Sequence, residues 1–110
     1  MEHTLFFHGK TKNGQRFTIA GRFIKKGVIV KTDYLNLGAS ICSKQDSFIK
    51  KVGRCKAEGR LAAKGTRGHL LVPVDVRKNG ELKAFVDYAS TFQEQKSSNF
   101  KSTFNLNGQG

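Results

Sequence analysis

The chain has 110 residues, 37% of them hydrophobic and nine of them Phe, which is enough for one domain with a modest core but not for two. Its formal net charge of +12 is uneven: residues 1–69 hold 15 basic and 4 acidic side chains, whereas residues 70–110 hold 5 and 4. No stretch approaches the roughly 20 apolar residues of a membrane span and residues 1–7 lack signal-peptide features, so we expect a cytoplasmic protein without a membrane partner.

The first predicted element is a β-hairpin around Lys12-Asn13-Gly14, because Asn-Gly between alternating runs is typical of a tight turn. A three-residue loop with the glycine in the left-handed conformation pairs Phe7 with Ile19 and Gly9 with Phe17. This register gives the hairpin two chemically distinct faces. The buried face holds Leu5, Phe7, Phe17, Ile19 and Phe23, and the other face holds Phe6, His8, Lys10, Arg16, Thr18 and Arg22.

A third strand region follows the turn at Lys25-Lys26-Gly27, beginning with the apolar stretch Val28-Ile29-Val30. The alternation changes phase near residues 33–34. Beyond that point the apolar positions are Leu35, Leu37, Ala39 and Ile41, on the opposite parity. The change of phase predicts a bulge or a break into two strands.

One main α-helix is predicted next, with Ser43 as N-cap, Asp46 in a capping-box position and Gly65 as C-terminal stop. Small and apolar side chains recur at steps of four and three residues, which is typical of a buried helix face. This predicted stripe consists of Phe48, Val52, Cys55, Gly59 and Ala62. Lys50, Arg54, Lys56, Arg60 and Lys64 then cover the opposite arc.

Special packing roles follow for the glycines and cysteines of this helix. Gly59 on the stripe could admit a neighbouring strand, and Gly53 in the basic arc could admit a backbone phosphate. Cys55 is expected to pack inside. A helix of this length separates it from Cys42 by far more than a disulfide spans, so both are expected to be free thiols.

The C-terminal third contains a second Lys-Asn-Gly loop at residues 78–80. This loop favours an edge strand through Pro73 paired with a strand that runs to about Tyr88, although residues 82–92 would also suit a helix. From Ser90 onward the sequence is polar, which predicts a flexible tail punctuated by Phe92, Phe100 and Phe104.

These elements define an α+β fold in the order β-β-β(-β)-α-β-β. We expect an antiparallel sheet of about five strands, with two Lys-Asn-Gly hairpins, packed on one main α-helix. A single domain would span residues 1–89, and residues 90–110 would form the flexible polar tail.

The concentration of positive charge predicts a protein that binds nucleic acid, DNA or RNA, mainly through phosphate contacts. Residues from the helix, the link after it and the first hairpin are the candidates. They are Lys50, Arg54, Lys56, Arg60, Lys64, Arg67, Lys10, Lys12, Arg16 and Arg22. Phe6 is either a ring available for base stacking or the cover of a second small core. The alternative for the charged side chains is a solvated surface without a ligand.

No pattern in the chain indicates an enzyme, a cofactor or a small-molecule substrate. Two cysteines thirteen residues apart and three scattered histidines match no zinc site. A protein-interaction module that binds and modulates an acidic host protein is the main alternative function, and it would use the same cations. The Phe residues near the C-terminus could contribute a short binding motif to it.

The stretch Leu37-Gly38-Ala39-Ser40-Ile41-Cys42-Ser43, continuing through Asp46-Ser47-Phe48-Ile49-Lys50-Lys51 and Gly53-Arg54 to Ala57-Glu58-Gly59-Arg60-Leu61, resembles small uncharacterised proteins of phages and mobile elements. That resemblance covers about a quarter of the chain and implies an accessory protein of a phage or mobile element, with no activity attached. The order of strands before the helix is also similar to single-strand-binding modules of the Whirly type, without shared motifs.

Overall fold

The computed structural model describes residues 4–24, 33–42, 49–62, 68–74 and 80–106. Within these ranges four strands form one antiparallel sheet in the order of the chain: β1 (Leu5–Lys10), β2 (Arg16–Ile24), β3 (Asp33–Ile41) and β4 (His69–Val74). The helices are α1 (Lys50–Ala62), α2 (Gly80–Ser90) and α3 (Ser97–Thr103), with a 3₁₀ turn at Thr91–Glu94. The predicted α+β class is confirmed.

The first hairpin forms as its turn chemistry predicts. Gly14 has φ +86°, the left-handed conformation that closes a three-residue loop. Phe7 lies opposite Ile19 and Gly9 opposite Phe17, which is the predicted register. One turn residue therefore fixes which side chains of β1 and β2 share a face.

The parity predicted for β3 is also confirmed, because Leu35, Leu37 and Ala39 are fully buried. The proposed bulge or break, and the stretch Val28-Ile29-Val30, lie outside the described residues apart from the start of β3 at Asp33. Pro73 lies on β4 at the edge of the four-stranded sheet, where its missing N–H costs no hydrogen bond within the ladder.

The second predicted hairpin is wrong, since residues 80–90 form helix α2 instead of a strand. The strand register would have put Leu82 and Val86 on one face, yet both are exposed. In the helix, Phe85 and Ala89 lie one turn apart and are both fully buried. Burial of this pair against the sheet outweighs the local preference of the loop sequence for a hairpin.

The prediction of a flexible tail is wrong for residues 90–106. Phe92, Phe100 and Phe104 are buried in the same core as the sheet residues, and Leu106 joins them. The ring centroid of Phe100 lies 4.7 Å from that of Phe17 on β2 and 5.0 Å from that of Phe104. The prediction followed the polar composition of this segment, but its three aromatic side chains complete the main core.

The other face of the sheet is covered by α1, so helices pack on both faces and not on one. The contact is a second, smaller core of Phe6, Ala20, Ala57 and Leu61. It is possible because Gly38 has no side chain: a Cβ there would lie 2.1 Å from the carbonyl oxygen of Ala57. The helix backbone therefore rests almost directly on β3.

The predicted buried stripe of α1 is wrong. Val52, Cys55, Gly59 and Ala62 are all exposed, and the buried residues are Ala57 and Leu61. Nothing lies within 4 Å of a Cβ built at Gly59, so the close approach occurs at the strand glycine Gly38 instead. Both cysteines are free thiols, but Cys55 is exposed and not packed inside. Phe48, the first residue of the predicted stripe, and the predicted caps Ser43, Asp46 and Gly65 lie outside the described residues.

None of the helices in the described part of the chain is long and apolar enough to cross a membrane.

Candidate nucleic-acid interface

The side of the sheet that carries α1 collects most of the described positive charge. Lys10 and Arg16 are paired across β1 and β2 and point to this side, and Arg22 follows them on β2. Helix α1 adds five more cations above them. We call this surface the α1 face and define it by its eight described cations, Lys10, Arg16, Arg22, Lys50, Lys51, Arg54, Lys56 and Arg60. Glu58 is the one acidic side chain described on it.

Among the described residues, the charges on the opposite side of the sheet balance. The charged side chains between the start of α2 and the end of α3 are Lys83, Lys96, Lys101, Glu81, Asp87 and Glu94. Lys83 and Asp87 form an ion pair of 3.2 Å along α2. The charge asymmetry of the sequence therefore becomes an asymmetry between two faces of the fold.

His8 shows that the hairpin and the helix contribute to one positive region. It is half-buried on β1, and its Nδ1 lies 2.9 Å from the Thr18 hydroxyl on β2. Burial lowers the pKa of His8 below its ordinary value, and the positive charges of Lys50 and Arg54 lower it further. The N-terminal half of α1 thus acts electrostatically on β1.

Arg22 and Arg60, both predicted as site residues, make contacts within the fold. The Arg22 guanidinium lies 3.8 Å from the Glu58 carboxylate, and its Nε donates a hydrogen bond to the Thr4 hydroxyl at 2.7 Å. Arg60 donates from Nη1 to the carbonyl oxygen of Ala39 at 2.7 Å. Arg22 thus connects β2 with α1 and with the residue before β1, and Arg60 connects α1 with β3.

Five cations of the α1 face combine positive charge with high exposure and were predicted as site residues. They are Lys10, Arg16, Lys50, Arg54 and Lys56. On α1 itself, Arg54 and Lys56 fall on opposite flanks, because the helix rests on Ala57 and Leu61. Arg54 lies on the flank toward β1, where it acts on His8. At about 100° per residue, Lys56 lies on the same flank as Arg60, whose side chain is next to Gly68 just before β4. Lys51 is exposed as well and was missed, because the wrong buried stripe gave no reason to place it on a flank.

The remaining predicted site residues fall elsewhere. Lys12 is exposed in the first turn, and its backbone N–H donates to the carbonyl oxygen of Gln95 at 2.7 Å. Gly53 lies beside β3, where its carbonyl oxygen accepts a hydrogen bond from Ser40. Its N–H, the group that a phosphate would need, donates to the carbonyl oxygen of Ile49 at 3.1 Å. Lys64 and Arg67 lie outside the described residues.

Phe6 belongs to the small core under α1, which decides between the two interpretations of its ring. In the described part of the chain no aromatic side chain is among the exposed large hydrophobic residues, which are Ile49, Val52, Leu71, Leu82 and Val86. Ile49 and Val52 lie at the start of α1 beside its cations. No cluster of His, Cys, Asp or Glu that could hold a metal ion occurs among the residues described.

Comparison with known proteins finds no matching protein-family model, no matching curated protein and no matching solved structure. The assignment of a function to this chain therefore rests on its own chemistry.

Proposed function

We propose that this protein binds nucleic acid through phosphate contacts made by the α1 face, with little discrimination between base sequences. The observation that supports it most directly is that this face carries eight described cations and one described acid, whereas the described charges of the opposite face balance. A phosphate backbone is the cellular polyanion that such a surface attracts most strongly.

The proposed contacts come from the exposed cations of α1 and of the hairpin. Lys50 and Arg54 on the helix act electrostatically on His8, and Lys10 and Arg16 lie on the same side of the hairpin as that residue. Arginine can hold a phosphate through two parallel hydrogen bonds, whereas lysine acts as a point charge. Lys56 extends the surface along the other flank of α1.

Binding of this kind is driven by the release of counterions, so its affinity must fall with salt. Five phosphate contacts on duplex DNA give a slope of log K against log salt near −4.5. Raising the salt from about 50 to about 200 mM would then weaken binding by several hundred-fold.

The test is a salt titration of the purified full chain with short single-stranded and double-stranded DNA and RNA of equal length. We expect steep salt dependence for at least one of the four ligands and small differences between base sequences. Absence of binding at low salt to all four ligands would contradict the proposal.

A second candidate is a module that binds an acidic protein. The exposed side chains of Ile49 (57%) and Val52 (45%) beside the cations of α1 favour it, because protein interfaces combine apolar contact with charge complementarity. Phe92, Phe100 and Phe104 do not support it as a binding motif, since all three are buried. Partners that are retained from a nuclease-treated lysate would favour this candidate, and partners lost with the nucleic acid would favour the first.

A further inference from the structure

The outward face of α1 is exposed and lies between two flanks of positive charge. We propose that α1 docks lengthwise in the major groove of duplex DNA, with each of its flanks facing the phosphates of one strand. This inference rests on the proposed function of the same surface and names its ligand.

One flank of α1 faces the hairpin. Glu58 lies on this flank, because its carboxylate is 3.8 Å from the Arg22 guanidinium on β2. Lys51 and Arg54 precede Glu58 by seven and four residues, a spacing that places all three side chains on the same flank. Lys51 and Arg54 are both exposed. The flank toward the hairpin therefore presents two cations of α1 to a ligand.

The other flank of α1 faces β3 and β4. Arg60 donates a hydrogen bond to the carbonyl oxygen of Ala39 on β3, and its side chain lies next to Gly68, just before β4. Lys56 is exposed and precedes Arg60 by four residues, so it lies on the same flank. Each flank thus carries two cations, and the width of the helix separates the two pairs.

The outward face between the flanks carries small and apolar side chains. They are Val52, Cys55, Gly59 and Ala62, all of them exposed. A helix with its side chains is about 10–12 Å across, which matches the width of about 12 Å of the major groove in B-form DNA, whereas the minor groove is about 6 Å wide. These four residues offer few hydrogen bonds to base edges, which agrees with little discrimination between base sequences.

The same arrangement favours duplex DNA over duplex RNA and over single strands. The major groove of A-form RNA is deep and narrow and does not admit side chains. A single strand has one backbone and cannot occupy both flanks of α1 in this way. Phe6 packs beneath α1, where its ring is not available to stack on an unpaired base. We therefore expect duplex DNA to bind more tightly than duplex RNA or a single strand of equal length.

Cys55 provides the test, because its thiol is free and lies on the outward face. The unmodified full chain is alkylated with iodoacetamide alone, with saturating duplex DNA and with saturating duplex RNA, and peptide mass spectrometry follows the modification of Cys55. We expect duplex DNA to slow the alkylation at least about tenfold and duplex RNA to slow it much less, because reactivity depends on access to the thiol. Ser98→Cys adds a matched control thiol at an exposed position of α3, on the opposite side of the sheet, and this thiol should react at the same rate with and without DNA.

A second measurement fills the groove and leaves the phosphates unchanged. A duplex that carries glucosylated 5-hydroxymethylcytosine places sugar groups in the major groove, and we expect it to bind the unmodified chain at least about tenfold more weakly than the same duplex with cytosine.

The two proposals fail in different ways. No binding of any nucleic acid at low salt would overturn the proposed function. Salt-dependent binding of duplex DNA that leaves Cys55 as reactive as in the free chain, or that is unaffected by the sugar groups, would overturn the docking of α1 and leave the function in place. Equal or tighter binding of duplex RNA or of a single strand would also overturn the docking alone.

Discussion

The side-chain oxygen of Asn13 accepts hydrogen bonds from both the backbone N–H and the hydroxyl of Ser97, each at 2.9 Å and across 84 positions of the chain. Ser97 is the first residue of α3, and Lys96 before it makes no side-chain capping hydrogen bond. The turn of the first hairpin therefore caps a helix near the other end of the chain. Thr11 completes the cluster with a hydroxyl 2.9 Å from that of Ser97.

Replacing Asn13 with Ala should remove this cap and lower the free energy of unfolding by about 1–2 kcal/mol. Asn13→Asp is the matched control, because it keeps the acceptor and places a negative charge at the N-terminus of α3. Urea unfolding of the two variants checks the prediction. Equal stability of Asn13→Ala and the unmodified protein would show that the contact between hairpin and α3 contributes nothing.

The aromatic core predicts that the C-terminal segment is required for folding. Phe100 is fully buried and its ring lies 5.3 Å from that of Phe92. Phe100→Ala should therefore lower the free energy of unfolding by about 3–5 kcal/mol, a large part of the stability of a small domain. Ser98→Ala, at an exposed position of the same helix, should change it by less than about 0.5 kcal/mol. Similar thermal midpoints for both variants would contradict the packing of α3.

Two glycines of the α1 region should respond in opposite directions to the same substitution. At Gly38 an added Cβ would lie 2.1 Å from the Ala57 carbonyl oxygen and 2.3 Å from the Leu61 nitrogen, so α1 would have to move away from the sheet. Gly38→Ala should destabilise the protein by at least about 1–3 kcal/mol. Gly59→Ala, where the space is open, should stabilise it by up to about 1 kcal/mol through helix propensity. Denaturation of both variants tests the placement of α1.

These contrasts explain which parts of the fold the sequence could predict. The first hairpin and the parity of β3 follow from local rules, because Asn13-Gly14 sets the turn and the alternation sets the face. The rotation of α1 about its own axis does not follow from local rules. Two of its faces carry small or apolar side chains, the predicted one with Cys55 and Gly59 and the buried one with Ala57 and Leu61. The choice between them depends on Gly38, which meets the helix only in three dimensions.

For the C-terminal elements and the site, too, local sequence rules predict only part of the structure. The burial of Phe100 and Phe104 depends on packing in the same core as Phe17, a residue far from them in the sequence, which no local pattern reveals. Composition and charge predicted a basic surface, and the pairing of β1 with β2 predicted its hairpin part. The contacts of Arg22 with Glu58 and of Arg60 with the Ala39 carbonyl oxygen could not be predicted, because each joins two elements that are distant in the sequence.

The lowered pKa of His8 predicts a pH dependence of stability. Because the folded ring has a pKa below the ordinary 6.5, the unfolded chain binds more protons as the pH falls past that value. Well above pH 6.5 the contribution of His8 to the free energy of unfolding should be constant. It should decrease as the pH falls from there through the lower pKa of the folded state. Urea unfolding of the unmodified protein and of His8→Asn, compared from about pH 7.5 to about pH 5, isolates this contribution. If the unmodified protein instead became more stable relative to His8→Asn toward acid pH, the prediction would be contradicted.

The central claim is that the hairpin and α1 form one surface for phosphates, and the salt dependence of DNA binding tests it most directly. We expect Lys50→Ala with Arg54→Ala, and separately Lys10→Ala with Arg16→Ala, each to reduce the slope of log K against log salt by about 1.8, two contacts' worth. Lys96→Ala with Lys101→Ala removes the same charge from the opposite face and should leave the slope unchanged. An equal reduction by all three pairs, or a slope that none of them alters, would contradict the claim.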